Sequence, residues 1–458
     1  MSDDPRLDVL LDVNRRRTWH AQLSRWRSLW RRLPEPWRAS AFRTLYRWRP
    51  KARALVEFGA SARDLEALRA PDVAELAPGP LVVSGYFGEP SGVGRGARLT
   101  MAALGAAGLR PEAHDLEAEP RGPACAQTGG VWVAHCNAPE LARYLLHAAT
   151  LPQAYRIAYW AWELPVAPRA WAEVAKCVHE IWTPSRFVAE ALRRAGVEAY
   201  AKIDVRPHPL PPAGLADRAR FGLPGDVFAF LCMYDGRSSA TRKNPLGAVR
   251  AFKAAFAPTD GQVRLTVKAI AAESDPLAWR ALQDELAGWP NIDLLTERLS
   301  DDETANLIAS HDAFVSLHRA EGFGLAIAQA MAAGRPVIVT GWSGNMDFCQ
   351  EGAGLVAFDL APVVDAAGVY SAPGQVWAEP SLSSASSWMR KLAASPEAAF
   401  ALGAAGKARL EAVLPTAYDL SDHDQWLDAA AWPRGAAAAQ RVARIPDSGH
   451  GRSNAHDD

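Results

Sequence analysis

Apolar and polar positions follow two periods along the chain, and the switches between them lay out most of an architecture. Near the start, Trp19, Leu23, Trp26, Trp30 and Leu33 recur at spacings of four, three, four and three, which places them on one helical face. Arg25, Arg27, Arg31 and Arg32 lie mostly off that stripe, and Pro34 and Pro36 break it. From Leu81 onward, short apolar runs of strand length alternate with stretches of helical period. Leu81-Val82-Val83-Ser84-Gly85 predicts a strand, followed by a glycine-rich turn and a helix ending near Gly108. Further strands are predicted over 131–134, 155–160 and 180–182, with helices near 139–149 and 186–195. The prolines of Arg206-Pro207-His208-Pro209-Leu210-Pro211-Pro212 cannot serve an interior strand and read as a hinge. Alternation then restarts, with strands expected at 227–233, 263–269, 291–295, 313–317, 337–341 and 355–358. Helices are expected between them near 246–257, 277–288, 302–310 and 325–333, and two more follow near 384–395 and 400–413.

Two successive βα arrays predict an α/β protein of two doubly wound, Rossmann-like domains with parallel sheets. A length of 458 residues agrees, being too long for one ordinary core. The expected units are a helical extension over 1–75, a first domain over 76–212, a second over 213–435, and a disordered tail over 436–458. A formal net charge of −1 gives no ground for a nucleic-acid partner. Basic charge is instead local: residues 13–56 hold thirteen Lys or Arg, one acid (Glu35) and five tryptophans. That segment reads either as an interfacial helix on an anionic membrane surface or as a face packed on the protein body. The five cysteines are scattered, with no paired or metal-ligand spacing, which fits a cytoplasmic setting and no zinc. No apolar stretch approaches 18 residues, so neither a membrane span nor a secretory leader is expected.

Two segments carry candidate chemistry. Gly92, Gly94 and Gly96 stand between a strand and a helix, where slim backbone can approach an anion or simply make a tight turn. The spacing is neither the dinucleotide fingerprint nor a Walker A loop. The second segment runs Ser316-Leu317-His318-Arg319-Ala320-Glu321-Gly322-Phe323-Gly324-Leu325, with Gln329 four residues on. Glu321 falls just past a strand's carboxyl end, where open α/β sheets bind ligands, and can accept hydrogen bonds from sugar hydroxyls. The helix opening at Leu325 would turn the amides of 323–325 toward a phosphate or a polar sugar.

These residues resemble the retaining, nucleotide-sugar-dependent glycosyltransferases of the large GT-B family 4. The resemblance rests on Glu321-Gly322-Phe323-Gly324-Leu325, the run Ala330-Met331-Ala332-Ala333-Gly334-Arg335-Pro336-Val337, and Gly341 through Phe348. Asp235-Gly236-Arg237-Ser238, Arg242-Lys243-Asn244-Pro245, Trp160-Ala161-Trp162-Glu163 and Trp377-Ala378-Glu379-Pro380 also look familiar, so that about residues 81–415 are covered. It implies a GT-B enzyme with the acceptor on the first domain, the nucleotide sugar on the second, and a cleft between them. By that resemblance Lys243 would meet the diphosphate, joined by Arg237 or Arg242, with Asp235 and Ser238 in the same loop. His135 would contact the donor sugar, Glu321 would orient it, and Gly92 and Gly94 would close over the phosphates. Glu163 would orient the acceptor or bond nearby backbone, and Lys268, unexpected at the end of a buried strand, would reach the cleft. Gln329 stands where the family has a second Glu on the donor ribose, so weaker donor binding is expected and restoring Glu should tighten it. The donor would be GDP-mannose or a UDP-hexose, the acceptor a glycan, a lipid-linked molecule or another hydroxyl compound, with no metal or other cofactor. Two rival readings are a non-catalytic nucleotide-sugar-binding subunit and a nucleotide-sugar epimerase.

Overall fold

The computed structural model describes residues 67–428, apart from Pro90, Ala149 and residues 118–126, 366–369 and 371–373. The Trp-rich segment 13–56 and the tail 436–458 lie outside the described residues. The first sheet is built from β1 (Leu81–Gly85), β2 (Glu112–Asp115), β3 (Thr128–Ala134), β4 (Gln153–Tyr159), β5 (Glu180–Thr183) and β6 (Lys202–Val205). Its order is β2-β1-β3-β4-β5-β6, all parallel. Helices α1 (Gly92–Ala106), α2 (Ala138–His147), α3 (Trp171–Ala175) and α4 (Arg186–Arg194) accompany it. After the proline hinge comes a second sheet of β7 (Phe228–Asp235), β8 (Val263–Ile270), β9 (Ile292–Leu295), β10 (Ala313–Ser316), β11 (Val337–Thr340) and β12 (Gly354–Val356). Its order is β12-β11-β10-β7-β8-β9, again parallel. Its helices are α5 (Ala240–Lys243), α6 (Pro245–Ala255), α7 (Pro276–Leu286), α8 (Asp301–Ser310), α9 (Leu325–Ala332), α10 (Met346–Cys349), α11 (Leu382–Ala394) and α12 (Pro396–Val413).

The apolar runs become central strands because a parallel sheet is covered on both faces. Every residue of β1 and of β11 is buried. Edge strands β2 and β6 are the ones the apolar pattern does not predict: each buries one residue of four. An antiparallel hairpin of β13 (Phe358–Pro362) and β14 (Val376–Pro380) also escapes the pattern, since β13 buries none of its residues. Asp301 and Asp302 both fall inside α8. Ser300 caps that helix in a reciprocal box with Glu303, which releases Asp301 for other contacts.

Each sheet reverses its strand order once, between β1 and β3 in the first and between β7 and β10 in the second. Open α/β sheets bind ligands outside the strand ends at such points. The glycine-rich turn and His135 follow β1 and β3, while Asp235 ends β7 and Glu321 follows β10, so the two domains turn these ends toward a shared cleft.

The expected 213–435 unit includes a stretch that packs on the first domain instead. Beyond α12, Tyr418, Leu420, Trp426 and Leu427 join Leu81, Val83 and Leu104 in one core. Gly79 donates to the carbonyl of Trp426 (3.0 Å) and accepts from the amide of Asp428 (2.9 Å). Glu180, fully buried on β5, lies 3.0 Å from His423 Nε2 on this strap and accepts from Trp182 Nε1 at 2.8 Å. Burial opposes its charge, but His423, Lys202 and Trp182 together hold the carboxyl at about 2. Among the described residues, no helix is long and apolar enough to cross a membrane.

Candidate active site

On the second domain the site grows from the ends of β7 and β10. The Asp235 carboxylate accepts from the amide of Arg237 (2.9 Å) and pairs with its guanidinium (2.7 Å). Ser239, capping α5, accepts from the amide of Arg242 at 3.2 Å, and Asn244 ends the helix while donating to the carbonyl of Leu317 (2.9 Å). That single turn thereby presents Arg242 and Lys243 to the end of β10. There His318, fully buried, lies 3.1 Å from Ser316 Oγ and 3.0 Å from Asn345 Oδ1, and burial lowers its pKa. Glu321 is fixed by its amide, which donates to Ser343 Oγ at 2.8 Å. Gly324 then opens α9, whose N-terminus receives no side-chain cap. Gly322, Phe323, Gly324 and Leu325 thus lead directly into an N-terminus whose amides are available to a ligand.

The Glu321 carboxylate is 6% exposed as a residue and is held by two cations. Lys243 Nζ bonds Oε1, and Arg242 Nη1 donates to Oε2 at 3.2 Å. Burial alone would raise its pKa, yet Lys243 and Arg242 hold it at about 2. Arg242 is more deeply buried still: it donates to the carbonyls of Ala320 (2.6 Å) and Ser238 (3.3 Å), lies 3.9 Å from Glu163, and faces the Tyr370 ring at 5.6 Å. Burial works against its charge, but Tyr370, Glu321 and Glu163 raise its pKa. Of the two arginines the sequence offers, Arg237 is the one with side-chain surface. Arg237 keeps 34% of its side chain accessible and Lys243 23%, against 3% for Arg242.

The first domain meets this site directly. Glu163 accepts from Tyr370 Oη at 2.9 Å, so the loop between β13 and β14 reaches across to it. Ser185 Oγ donates to the carbonyl of Gly322 (2.6 Å), and Arg186 binds Asp347 through its amide and its Nε (2.8 and 3.1 Å). His135, 3% exposed, stacks on Tyr159 with ring centroids 4.3 Å apart. Neither of its ring nitrogens has a partner among the described residues, and burial lowers its pKa to about 3. His208, from the hinge, lies 6.1 Å from that ring and packs edge-on against Phe323 at 5.1 Å. A side chain at Gly96 would meet both imidazoles at 2.8 Å, which explains that glycine. Gly94 is required by the turn, since a Cβ would lie 2.4 Å from the carbonyl of Glu89, whereas Gly92 is exposed with open space around it.

Residues 229–370 match the family model described as glycosyl transferases group 1. No curated protein matches the chain. Among solved structures, Anabaena HepE in complex with UDP-glucose is 12% identical, with a TM-score of 0.53 over 73% of this chain and 94% of that one. A structure described as trehalose-6-phosphate from E. coli bound with UDP-2-fluoro glucose is 11% identical, with a TM-score of 0.50 over 73% of this chain and 96% of that one. The likeness to these structures shows a GT-B fold, and the family model describes the part of it that carries Lys243 and Glu321.

Two further residues singled out from the sequence are buried and bonded within the protein. Lys268 donates to the carbonyl of Glu297 at 2.6 Å, beyond the end of β9, and burial lowers its pKa. Gln329 is fully buried on α9, and its Oε1 accepts from Arg95 Nη1 of the first domain at 2.7 Å. Arg95, Tyr370, Ser343 and His208 were not singled out from the sequence. Only Arg95 carried a visible signal, a cation set between the glycines of the turn. Among the described residues, no group of three His, Cys, Asp or Glu is placed to hold a metal ion.

Proposed function

We propose that the protein transfers a hexose, with retention, from a nucleotide sugar to a hydroxyl of a glycan or lipid-linked acceptor. The observation that carries this reading is the Glu321 carboxylate, gripped by Lys243 and Arg242 just before the uncapped start of α9. A sugar diphosphate at that helix start places its phosphates on backbone amides, with Lys243 and Arg237 nearby to meet the charge that grows as it leaves. In the proposed step the acceptor oxygen bonds to the anomeric carbon on the face that the leaving phosphate oxygen vacates. The carbon–phosphate-oxygen bond breaks, and the hydroxyl proton passes to the departing phosphate oxygen. His135 faces the donor sugar, Glu321 orients it, and Glu163 meets the acceptor from the first domain. GDP-mannose and UDP-hexoses are the candidate donors, and the solved structures compared above hold UDP-sugars.

A panel of GDP-, UDP- and dTDP-sugars tests this by thermal shift. A donor at about a hundred times its Kd stabilises the native state by about 2.7 kcal/mol, on the order of 3 °C in Tm for a chain of this length. One nucleotide class is expected to give that shift, and a flat response to all three would count against the reading.

The segment 13–56 is proposed to hold the enzyme on an anionic membrane near a lipid-linked acceptor, on the strength of its Trp/Leu stripe and thirteen-to-one basic excess. Full-length protein should float with anionic liposomes at low salt and less so at high salt. Deleting residues 1–56 should abolish flotation. Full-length protein remaining below strongly anionic vesicles at low salt would leave the stripe as a packing face.

A further inference from the structure

Arg95 sits in the first turn of α1, between Gly94 and Gly96, and crosses to the second domain. Its partner is unusual for a guanidinium in a closed cleft. Among the described residues its hydrogen bond goes to the neutral amide of Gln329, not to a carboxylate. The carboxylate that acts most strongly on Arg95 is already engaged: Asp301 is bonded by Arg98, one turn further along α1, at 2.9 Å. Arg98 also ties the carbonyls of Phe87 (2.6 Å) and Glu89 (3.1 Å), fixing the segment that leads into α1. Burial is the largest influence on Arg95 and works against its charge, and the neighbouring Arg98 adds to that, while Asp301 and Asp302 offset part of it. Gln329 is held loosely in turn, because its Nε2 is buried with no partner among the described residues. Gln329 lies one turn into α9, whose uncapped start at Leu325 is where the donor reading puts the phosphates.

We propose that Arg95 is a third cation for the donor's diphosphate, supplied by the first domain and held in waiting by Gln329. This rests on the nucleotide-sugar reading above. A guanidinium bonded to an amide gives up one neutral partner when a phosphate oxygen arrives, and gains a charge-assisted, two-pronged one. A carboxylate at 329 would instead capture Arg95 in a buried ion pair and withhold it from the ligand. The neutral residue at 329 therefore keeps Arg95 transferable. This reverses the sequence-based expectation that a glutamate there would tighten the donor.

The test is calorimetric binding of GDP, UDP, guanosine and uridine to the full-length protein. Arg95→Ala is expected to weaken the preferred nucleoside diphosphate by tenfold or more and to leave the matching nucleoside unchanged. Arg95→Lys, which keeps the charge, should recover part of that loss. Gln329→Glu should also weaken the diphosphate, and should do nothing further in the Arg95→Ala background. Equal losses for nucleoside and nucleoside diphosphate would mean a general disturbance of the pocket and would overturn the proposal, as would a Gln329→Glu variant that binds more tightly. Failure of the unaltered protein to bind either diphosphate would remove the donor reading as well, which separates the two failures.

Discussion

Lys243→Ala is expected to lower transfer by about 10²- to 10³-fold, the range seen when one charge-stabilising donor is removed from an active site. Lys243 ends a four-residue helix whose geometry is set by Ser239 and Asn244, so its ammonium is aimed by backbone rather than by its own packing. It bonds Glu321 while keeping part of its side chain open to the cleft. Donor affinity should fall together with turnover, because the same charge meets the bound diphosphate and the greater charge that develops as it leaves. The fold should survive, since Arg242 remains on the other carboxylate oxygen. Steady-state transfer, donor affinity and melting temperature measured on one preparation check all three points. Turnover within a few-fold of the unaltered enzyme, in a folded variant, would show that this lysine lies off the reaction path.

Glu321→Gln is expected to have a comparable effect on transfer and a second effect on stability that the motif alone does not announce. Read from the sequence, Glu321 is a sugar-orienting carboxylate whose loss should cost activity far more than stability. In the structure it is also the main counter-charge for a buried guanidinium, whose other carboxylate neighbour, Glu163, is 3.9 Å away. Removing one member of a buried ion pair costs about 3 kcal/mol or more. The pH dependence carries the sign. The folded-state pKa of about 2 lies below the ordinary value of 4.5, so ionised Glu321 stabilises the fold at neutral pH. That contribution is present above pH 4.5 and is lost as pH falls toward 2. The stability gap between the unaltered enzyme and Glu321→Gln should therefore be widest near neutrality and narrow below pH 4.5. A gap that stays constant from pH 7 to pH 3 would contradict the assigned ion pairs.

The central strands were legible because a strand covered on both faces is written as a continuous apolar run, as in Val337-Ile338-Val339. The edges were not legible. Glu112-Ala113-His114-Asp115 pairs on one side only and has little apolar surface to declare itself. Glu321 could be placed just past a strand end, and Lys243 and Asp235 were picked out by the family resemblance; the structure brings Lys243 and Glu321 together. Contacts made between domains leave no local trace. The bond from Arg95 to Gln329 joins residues 234 apart in the chain, and that from Tyr370 to Glu163 joins residues 207 apart. The partner of Lys268 was illegible for a related reason. A lysine in a buried strand must send its ammonium to some polar group, but the sequence does not say that the group is the carbonyl of Glu297.

The most direct test of the catalytic account is release of nucleoside diphosphate by the purified full-length enzyme. Donors that give a thermal shift would be incubated with a panel of glycan, lipid-linked and small hydroxyl acceptors, and with water alone. The account predicts release with at least one acceptor, or slow release with water, and a drop of about 10²-fold or more in Lys243→Ala. Tight donor binding with no release under any condition would contradict it, and would mean that the cleft binds a nucleotide sugar without transferring it.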